Sequence, residues 1–296
     1  MRQWVYALCE DPLPYRKLNY TLPGHDKCTL HEADDFIEGK LREWGWQTER
    51  DETRVQAYRC DESKNIHHRY SPPAPEDPWY IAHNVYAKKN GSERPDEIIV
   101  AIAHKDSQSW VDSPGANDNT IGTVGILEMA RVLADYPTKR SLWFIWCNEE
   151  HSPWTSVTAA QAARERGDNI IAVFNVDGIG RKSAEDTDAG LLTHCTGFTE
   201  PEGERIADLV MQTNEDYGLG LIASKFKREH PGDDDGSFVK AGYPAAVINI
   251  GCYPYKDPNY HLPGDRWDTV DVPNAALAVK LLTAAILRVD EGALES

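Results

Sequence analysis

The chain has no basic stripe: 31 Lys and Arg stand against 48 Asp and Glu, a net charge of −17 over 296 residues. Without clustered cations, nothing displaces the counterions of a nucleic acid or holds an anionic membrane surface. Neither kind of partner is expected. The acidic field attracts cations, and its plainer consequence is solubility. No unbroken apolar run reaches the roughly 18 residues of a membrane helix. Met1-Arg2-Gln3-Trp4-Val5 lacks the apolar core of a signal peptide. A cytoplasmic location is therefore expected, although a mature secreted form would read the same. The six cysteines, at 9, 28, 60, 147, 195 and 252, contain no C-x-x-C pair. In a chain this long they read as mostly buried thiols rather than a disulfide framework. Repeats and low-complexity tracts are absent too. What is present is apolar and aromatic material, 41% hydrophobic with 9 Trp and 13 Tyr. That suffices for a full core and argues against long disorder.

Residues 70–79, Tyr-Ser-Pro-Pro-Ala-Pro-Glu-Asp-Pro-Trp, form the expected connector. Before it, Thr29-x-x-Glu32 has the pattern of a capping box. Phe36, Ile37, Leu41 and Trp44 follow at helical spacing, and Gly45 stops the run. Residues 1–75 thus read as a helical appendage to one domain spanning 1–296, with nothing chemical in it. After the connector, apolar runs at 83–89, 97–103, 141–147, 170–176, 190–195 and 245–251 alternate with helical patterns. Those lie near 119–135, 154–166, 201–216, 235–241 and 273–289, the last opening with Pro273. Continuous apolar strands separated by helices indicate an α/β fold: three layers, α/β/α, around a mostly parallel mixed sheet.

Polar residues fall where such a sheet binds ligands, beyond the carboxyl ends of its strands. Strand 97–103 runs into His104-Lys105-Asp106, and strand 141–147 into Asn148-Glu149-Glu150-His151. Strand 170–176 meets Asp177, and strand 245–251 leads to Tyr260-His261. The loop 113–119 carries Asp118 into a helix. Singly, each is ordinary: a turn aspartate, a helix-start acid pair, a surface His-x-Asp. Jointly, parallel strands would gather His104, Asp118, Glu149, Glu150, Asp177 and His261 at one edge. Two imidazoles and three or four carboxylates suit zinc or a similar divalent ion. So many carboxylates take up protons unless a cation neutralises them. A bridging carboxylate would hold two ions about 3.5–4 Å apart. Asp106 is placed to orient a neighbouring ligand.

These segments resemble the ordered motifs of the dinuclear-zinc aminopeptidases, metallopeptidase family twenty-eight. The motifs are Ala103-His104-Lys105-Asp106-Ser107, Pro114-Gly115-Ala116-Asn117-Asp118-Asn119, Asn148-Glu149-Glu150, Asn175-Val176-Asp177-Gly178-Ile179-Gly180 and Tyr260-His261. The likeness runs from about residue 80 to 272. It implies the zinc-dependent exopeptidase (phosphorylase/hydrolase-like) fold, two zinc ions and a peptide substrate. It also implies that His104 and Asp177 bind one zinc, that Glu150 and His261 bind the other, and that Asp118 bridges both. The bond after Asp118 is often cis in this family. Glu149 would be the general base of a metal-activated water, and Tyr260 an oxyanion stabiliser.

The chain departs from the family at Asp233-Asp234-Asp235-Gly236-Ser237-Phe238, where Ser-Asp-His-x-x-Phe is common; Asp235 stands in place of the histidine. Trp154 either lines a pocket or packs. His67, His68, His194 and His230 match no motif and read as non-ligands. Three alternatives to the aminopeptidase stay open. One is a single-zinc glutaminyl cyclase, in which Trp usually precedes the last histidine. The others are a carboxypeptidase and a non-catalytic binding relative.

Overall fold

The computed structural model describes residues 1–61, 63–65 and 69–295. The chain opens with α1 (Arg2–Cys9), α2 (Thr29–Glu43) and β1 (Gln47–Ala57). A small hairpin, β2 (Arg59–Cys60) with β3 (Tyr70–Ser71), precedes β4 (Tyr80–Lys89) and β5 (Arg94–His104). Then come α3 (Ile121–Leu133), β6 (Arg140–Cys147), β7 (His151–Ser152), α4 (Thr155–Arg166) and β8 (Asn169–Val176). The chain closes with α5 (Ala184–Asp188), β9 (Thr193–Phe198), α6 (Pro201–Asp216), β10 (Ile222–Lys227), α7 (Asp233–Lys240), β11 (Ala246–Ile250) and α8 (Val272–Asp290).

Nine strands form the main sheet in the order β10-β9-β11-β8-β5-β6-β4-β1-β7. The centre, β11-β8-β5-β6, is parallel; β4 and β1 extend it antiparallel on one side. On the other side β9 is antiparallel to β11, and β10 is parallel to β9. The centre of the sheet is buried on both faces, and β5 shows why its sequence is continuously apolar. Ile99, Ala101 and Ala103 enter the core shared with α1, α2, α3, α6 and α8. Ile98, Val100 and Ile102 enter the opposite core, shared with α4 and α7. A period of two feeds both layers. Each fully buried side chain of this size contributes roughly 1.5–3 kcal/mol.

The leading segment does more than add a helix. β1 pairs with β4 over Gln47–Val55 and with β7 at Gln56 and Ala57. Its sequence, QTERDETRVQA, lacks the apolar alternation that marks a strand. Cross-strand polar pairs hold it instead: Tyr86 donates to Asp51 at 2.6 Å, and Lys88 meets Glu49 at 2.6 Å. The expected capping box does not form. Cys28 is the N-cap of α2, and Thr29 Oγ1 accepts from the Lys17 N–H at 3.1 Å. Gly45 does end that helix, in the left-handed conformation with φ 81°. The expected strand at 190–195 lies later, at β9, because Gly190 turns the chain with φ 66°. β10, a mostly exposed edge strand, gives no apolar signal. Although no unbroken apolar run reaches membrane length, α8 is long and apolar enough on average to cross one. Half of that stretch is buried, with Ala275, Ala278, Leu282 and Ile286 in the core. Of the six cysteines four are buried, while Cys28 and Cys60 are half-buried.

His194 on β9 is fully buried, with Nε2 3.2 Å from Asn249 Oδ1. Burial lowers its pKa to about 4, with Asn249 opposing. A depressed folded pKa means that stability is complete above the unfolded value of 6.5 and lost as pH falls toward 4. The loss should be on the order of 3 kcal/mol. Urea denaturation from pH 7 to pH 4 should show this slope flattened in His194→Gln. An unchanged slope would remove His194 from the acid response.

Candidate metal centre

The parallel strands end at one edge, and the acidic motifs follow them. His104 is the last residue of β5. Glu149 and Glu150 lie on the turn between β6 and β7, and Asp177 follows β8. Asp118 sits in the loop entering α3, and His261 in the long loop after β11. His104 Nε2 lies 3.0 Å from Asp118 Oδ1 and 3.7 Å from Asp177 Oδ1. His261 Nε2 lies 2.9 Å from Asp118 Oδ2 and 2.9 Å from Glu150 Oε1. Two triads result, His104–Asp118–Asp177 and Asp118–Glu150–His261, each with donor atoms within 4.8 Å of one another. Asp118 turns one oxygen toward each. The peptide bond after Asp118 is cis.

Asp106 is the anchor of this edge. Its carboxylate accepts the backbone N–H groups of Glu149 and Glu150, both at 2.9 Å. The same carboxylate meets His104 Nδ1 at 3.2 Å and His151 Nδ1 at 2.6 Å. Burial opposes its charge, but the two imidazoles outweigh burial and hold its pKa far below the usual carboxylate range. Asp265 plays a parallel part for the bridging loop, accepting from Asn117 N at 2.8 Å and Asp118 N at 3.0 Å. Asn119 ties α3 to β8: its amide donates to Val176 O at 2.9 Å. Gly115 opens the loop with φ 62°, and a Cβ there would lie 2.5 Å from Asp118 O.

Charge decides what this cluster binds. Burial pushes Asp177 up to about 7 and Glu149 well above its ordinary value; nearby carboxylates add to both, and His104 opposes. Burial opposes charge on His261, yet Glu150 and Asp118 raise it to about 10. The protein alone can relieve this repulsion only by taking up protons; a divalent cation relieves it directly. The geometry agrees. Asp118 Oδ2 has no hydrogen bond although His261 Nε2 is 2.9 Å away. The two atoms are close without being aligned for a hydrogen bond, and the donor set of imidazole and carboxylate suits zinc.

A cavity of about 240 Å³ opens beside the triads. Glu149, Asp177 and Tyr260 line one part of it; Phe226, Ile248, Ile250 and Tyr253 give an apolar wall. Glu149 Oε2 is buried without a hydrogen bond. Tyr260 stacks on the His261 ring, centroids 3.7 Å apart. His261 itself has φ 55°, rare for a residue with a Cβ. Asp235, standing where the family commonly has histidine, is buried and paired with Arg228, which also meets Asp233 at 2.8 Å. Burial pushes Asp235 up to about 7, with Arg228 opposing. Arg228 and Asp233 both line the cavity. Trp154 does not line it and sits at the start of α4. His194 lies among Asn249 and Thr196, and His230 is exposed. His67 and His68 lie outside the described residues.

One residue at the site comes from the segment thought to hold no chemistry. The Tyr70 hydroxyl donates to Glu150 Oε1 at 3.0 Å and lies 3.1 Å from His261 Nε2. No local signal marks it, since 191 residues separate it from His261. Arg228 and Asp265 were equally unmarked.

Donor triads sharing one carboxylate, at the strand ends of a three-layer α/β fold, define the class. The chain belongs to peptidase family M28, whose model matches residues 84–286. It is 29% identical over 164 residues to a probable zinc metalloprotease of Pyrenophora teres f. teres, covering 53% of this chain and 32% of that protein. It is 27% identical over 198 residues to leucine aminopeptidase 1 of Fusarium vanettenii, covering 62% and 49%. The matches thus span less than half the length of those curated relatives. The fold is that of BSAP, a zinc aminopeptidase from Bacillus subtilis, with TM-score 0.70 and 15% identity over 97% of this chain and 94% of that one. A glutaminyl cyclase of Bacteroides thetaiotaomicron shares the fold equally, with TM-score 0.71 and 15% identity over 97% of each chain.

Asp106→Asn removes a charged acceptor from two backbone donors and two imidazoles. It should cost about 3 kcal/mol or more, read as the shift in a denaturant midpoint at constant slope. A loss under about 1 kcal/mol would show that the turn is held by other contacts.

Proposed function

We propose that the protein is a zinc-dependent exopeptidase that removes N-terminal residues from peptides. The observation that carries this reading is the pair of complete triads sharing Asp118, with Glu149 beside them and in neither. In this reading His104 and Asp177 would hold one zinc and Glu150 and His261 the other, with Asp118 serving both. Zinc, when bound, lowers the pKa of water and polarises a carbonyl. Glu149 takes the proton of the attacking water and passes it to the leaving amine. Its burial favours the protonated form, which suits a group that must hold a proton between those two transfers. Tyr260, on the cavity wall, donates to the developing oxyanion.

The charges lining the cavity bear on which end of a peptide is held. Carboxylates of Glu149, Asp177 and Asp233 line it, and its one arginine is paired with Asp233 and Asp235. Arg228, so engaged, offers no uncommitted charge to a terminal carboxylate, which supports an aminopeptidase over a carboxypeptidase. The cyclase reading draws on the equal likeness of fold. Tyr260, where cyclases usually carry Trp, speaks for the peptidase. A mixed peptide library incubated with zinc-loaded protein separates the readings by mass spectrometry. Stepwise loss of N-terminal residues supports the proposal. Loss of ammonia from N-terminal Gln peptides selects the cyclase, and C-terminal trimming selects the carboxypeptidase.

Glu149→Gln should retain its zinc and lose at least about 100-fold in kcat; near-normal turnover would displace Glu149 as the base. Tyr260→Phe should lower kcat about 10- to 100-fold while leaving KM unchanged. If Tyr70→Phe gives that signature and Tyr260→Phe does not, the oxyanion role passes to Tyr70.

A further inference from the structure

A third group of metal-type side chains lies where the leading segment packs on the sheet. His31 and Asp34 stand one turn apart on α2, and His83 faces them from β4. One ring nitrogen from each histidine and an Asp34 oxygen all lie within 4.8 Å of one another. His83 Nδ1 is 3.0 Å from Asp34 Oδ2. The two imidazole rings lie 4.6 Å apart and inclined by 36°.

The surroundings prepare the donors. His31 Nε2 is 2.9 Å from Ile81 O, an atom that only accepts. The proton therefore sits on Nε2, and Nδ1 keeps its lone pair. An imidazole bound to a carbonyl through its second nitrogen is the usual setting of a metal-ligating histidine. Asp34 is fully buried, and its other oxygen lies 3.1 Å from Lys105 Nζ. That ion pair fixes the carboxylate, and its Oδ2 makes a hydrogen bond with His83 Nδ1 that a bound ion would replace. Glu52, exposed on β1, brings Oε1 to 3.9 Å from His83 Nε2. That nitrogen is not the one facing Asp34, so Glu52 lies outside the donor group.

We infer that His31, Asp34 and His83 form a separate site for one borderline divalent ion of the zinc type. Two imidazoles with a carboxylate oxygen suit zinc and disfavour magnesium or calcium, which demand oxygen shells. The site joins α2 to β4 and uses no residue of the two triads. Its ion clamps the leading segment to the sheet. An ion that binds only the folded chain raises its melting temperature.

The test counts ions. The intact chain, His31→Ala and His31→Gln are each equilibrated with Zn²⁺, freed of loosely held metal and measured by inductively coupled plasma mass spectrometry. His31 is half-buried at the surface of α2, so both variants should fold, which circular dichroism verifies. The glutamine variant keeps an N–H for Ile81 and removes only the imidazole. Both variants should hold one zinc fewer per chain than the intact protein, and zinc should raise their melting temperature less. Equal counts in all three would overturn the site. The readout is a difference between chains, so it stands whether the triads hold two ions, one or none. A failure of the peptidase reading would appear in the total and in the library, not in this difference.

Discussion

The chemistry of this protein depends on one buried carboxylate that need touch neither substrate nor metal. Asp106 lies just beyond the central strand β5 and receives four groups. Two are backbone N–H groups of the turn carrying Glu149 and Glu150. Two are imidazole nitrogens, one belonging to His104. A single anion therefore fixes the spacing between a histidine on β5 and two glutamates following β6. A buried charge so heavily hydrogen-bonded costs little to keep and much to disturb. The bridging aspartate is held the same way from the opposite side by Asp265. Between these anchors, the segments carrying His104, Asp118 and Glu150 are held in place.

The anchors also explain why the edge can be so acidic. Asp118, Glu149, Glu150 and Asp177 converge where burial penalises each charge. Asp177 and His261 are displaced toward their protonated forms as a result. A fold that forces carboxylates together in this way has a standing demand for positive charge. Zinc meets that demand with two units of charge per ion and with ligand preferences that match the atoms present. Burial, with Asp234 and Asp233 adding, raises the proton affinity of Glu149, and no hydrogen bond holds its Oε2. A carboxyl with high proton affinity, beside an electropositive centre when loaded, can both accept and return a proton.

Much of this was legible in the sequence. The apolar runs of β5, β6, β8 and β11 mark parallel central strands, and the polar residues just after them mark the ligand edge. His104, Asp118, Glu150, Asp177 and His261 come together as the strand order requires. What escaped has a common cause. β1 is stabilised by cross-strand charge pairs, which leave no periodic apolar signal. Tyr70 reaches Glu150 and His261 only because β1, the β2–β3 hairpin and the long loop after β11 converge in space. Asp235 reads as a lost histidine until Arg228, seven residues earlier, is seen paired with it. Partners set by tertiary closure have no local pattern to betray them.

The leading segment completes the edge through Arg16. Its guanidinium is fully buried and donates to Lys105 O at 2.7 Å, Pro114 O at 2.6 Å, Gly115 O at 2.9 Å and Leu8 O at 2.7 Å. Burial disfavours the charged form of this side chain, and Asp265, Asp106 and Asp118 are among the acids that oppose the shift. An arginine stays charged in a protein, so Arg16 brings a fixed cation close to the carboxylates that anchor the cleft. It also ties the end of β5 to the Gly115 turn. Those are the two segments that carry His104 and Asp118. The separation of these two ligands is thus set by a residue lying about 90 positions before them, in a stretch with no motif. The helix, strand and loops before residue 75 are therefore structural members of the cleft. Their removal would loosen the donor set before any ligand was changed.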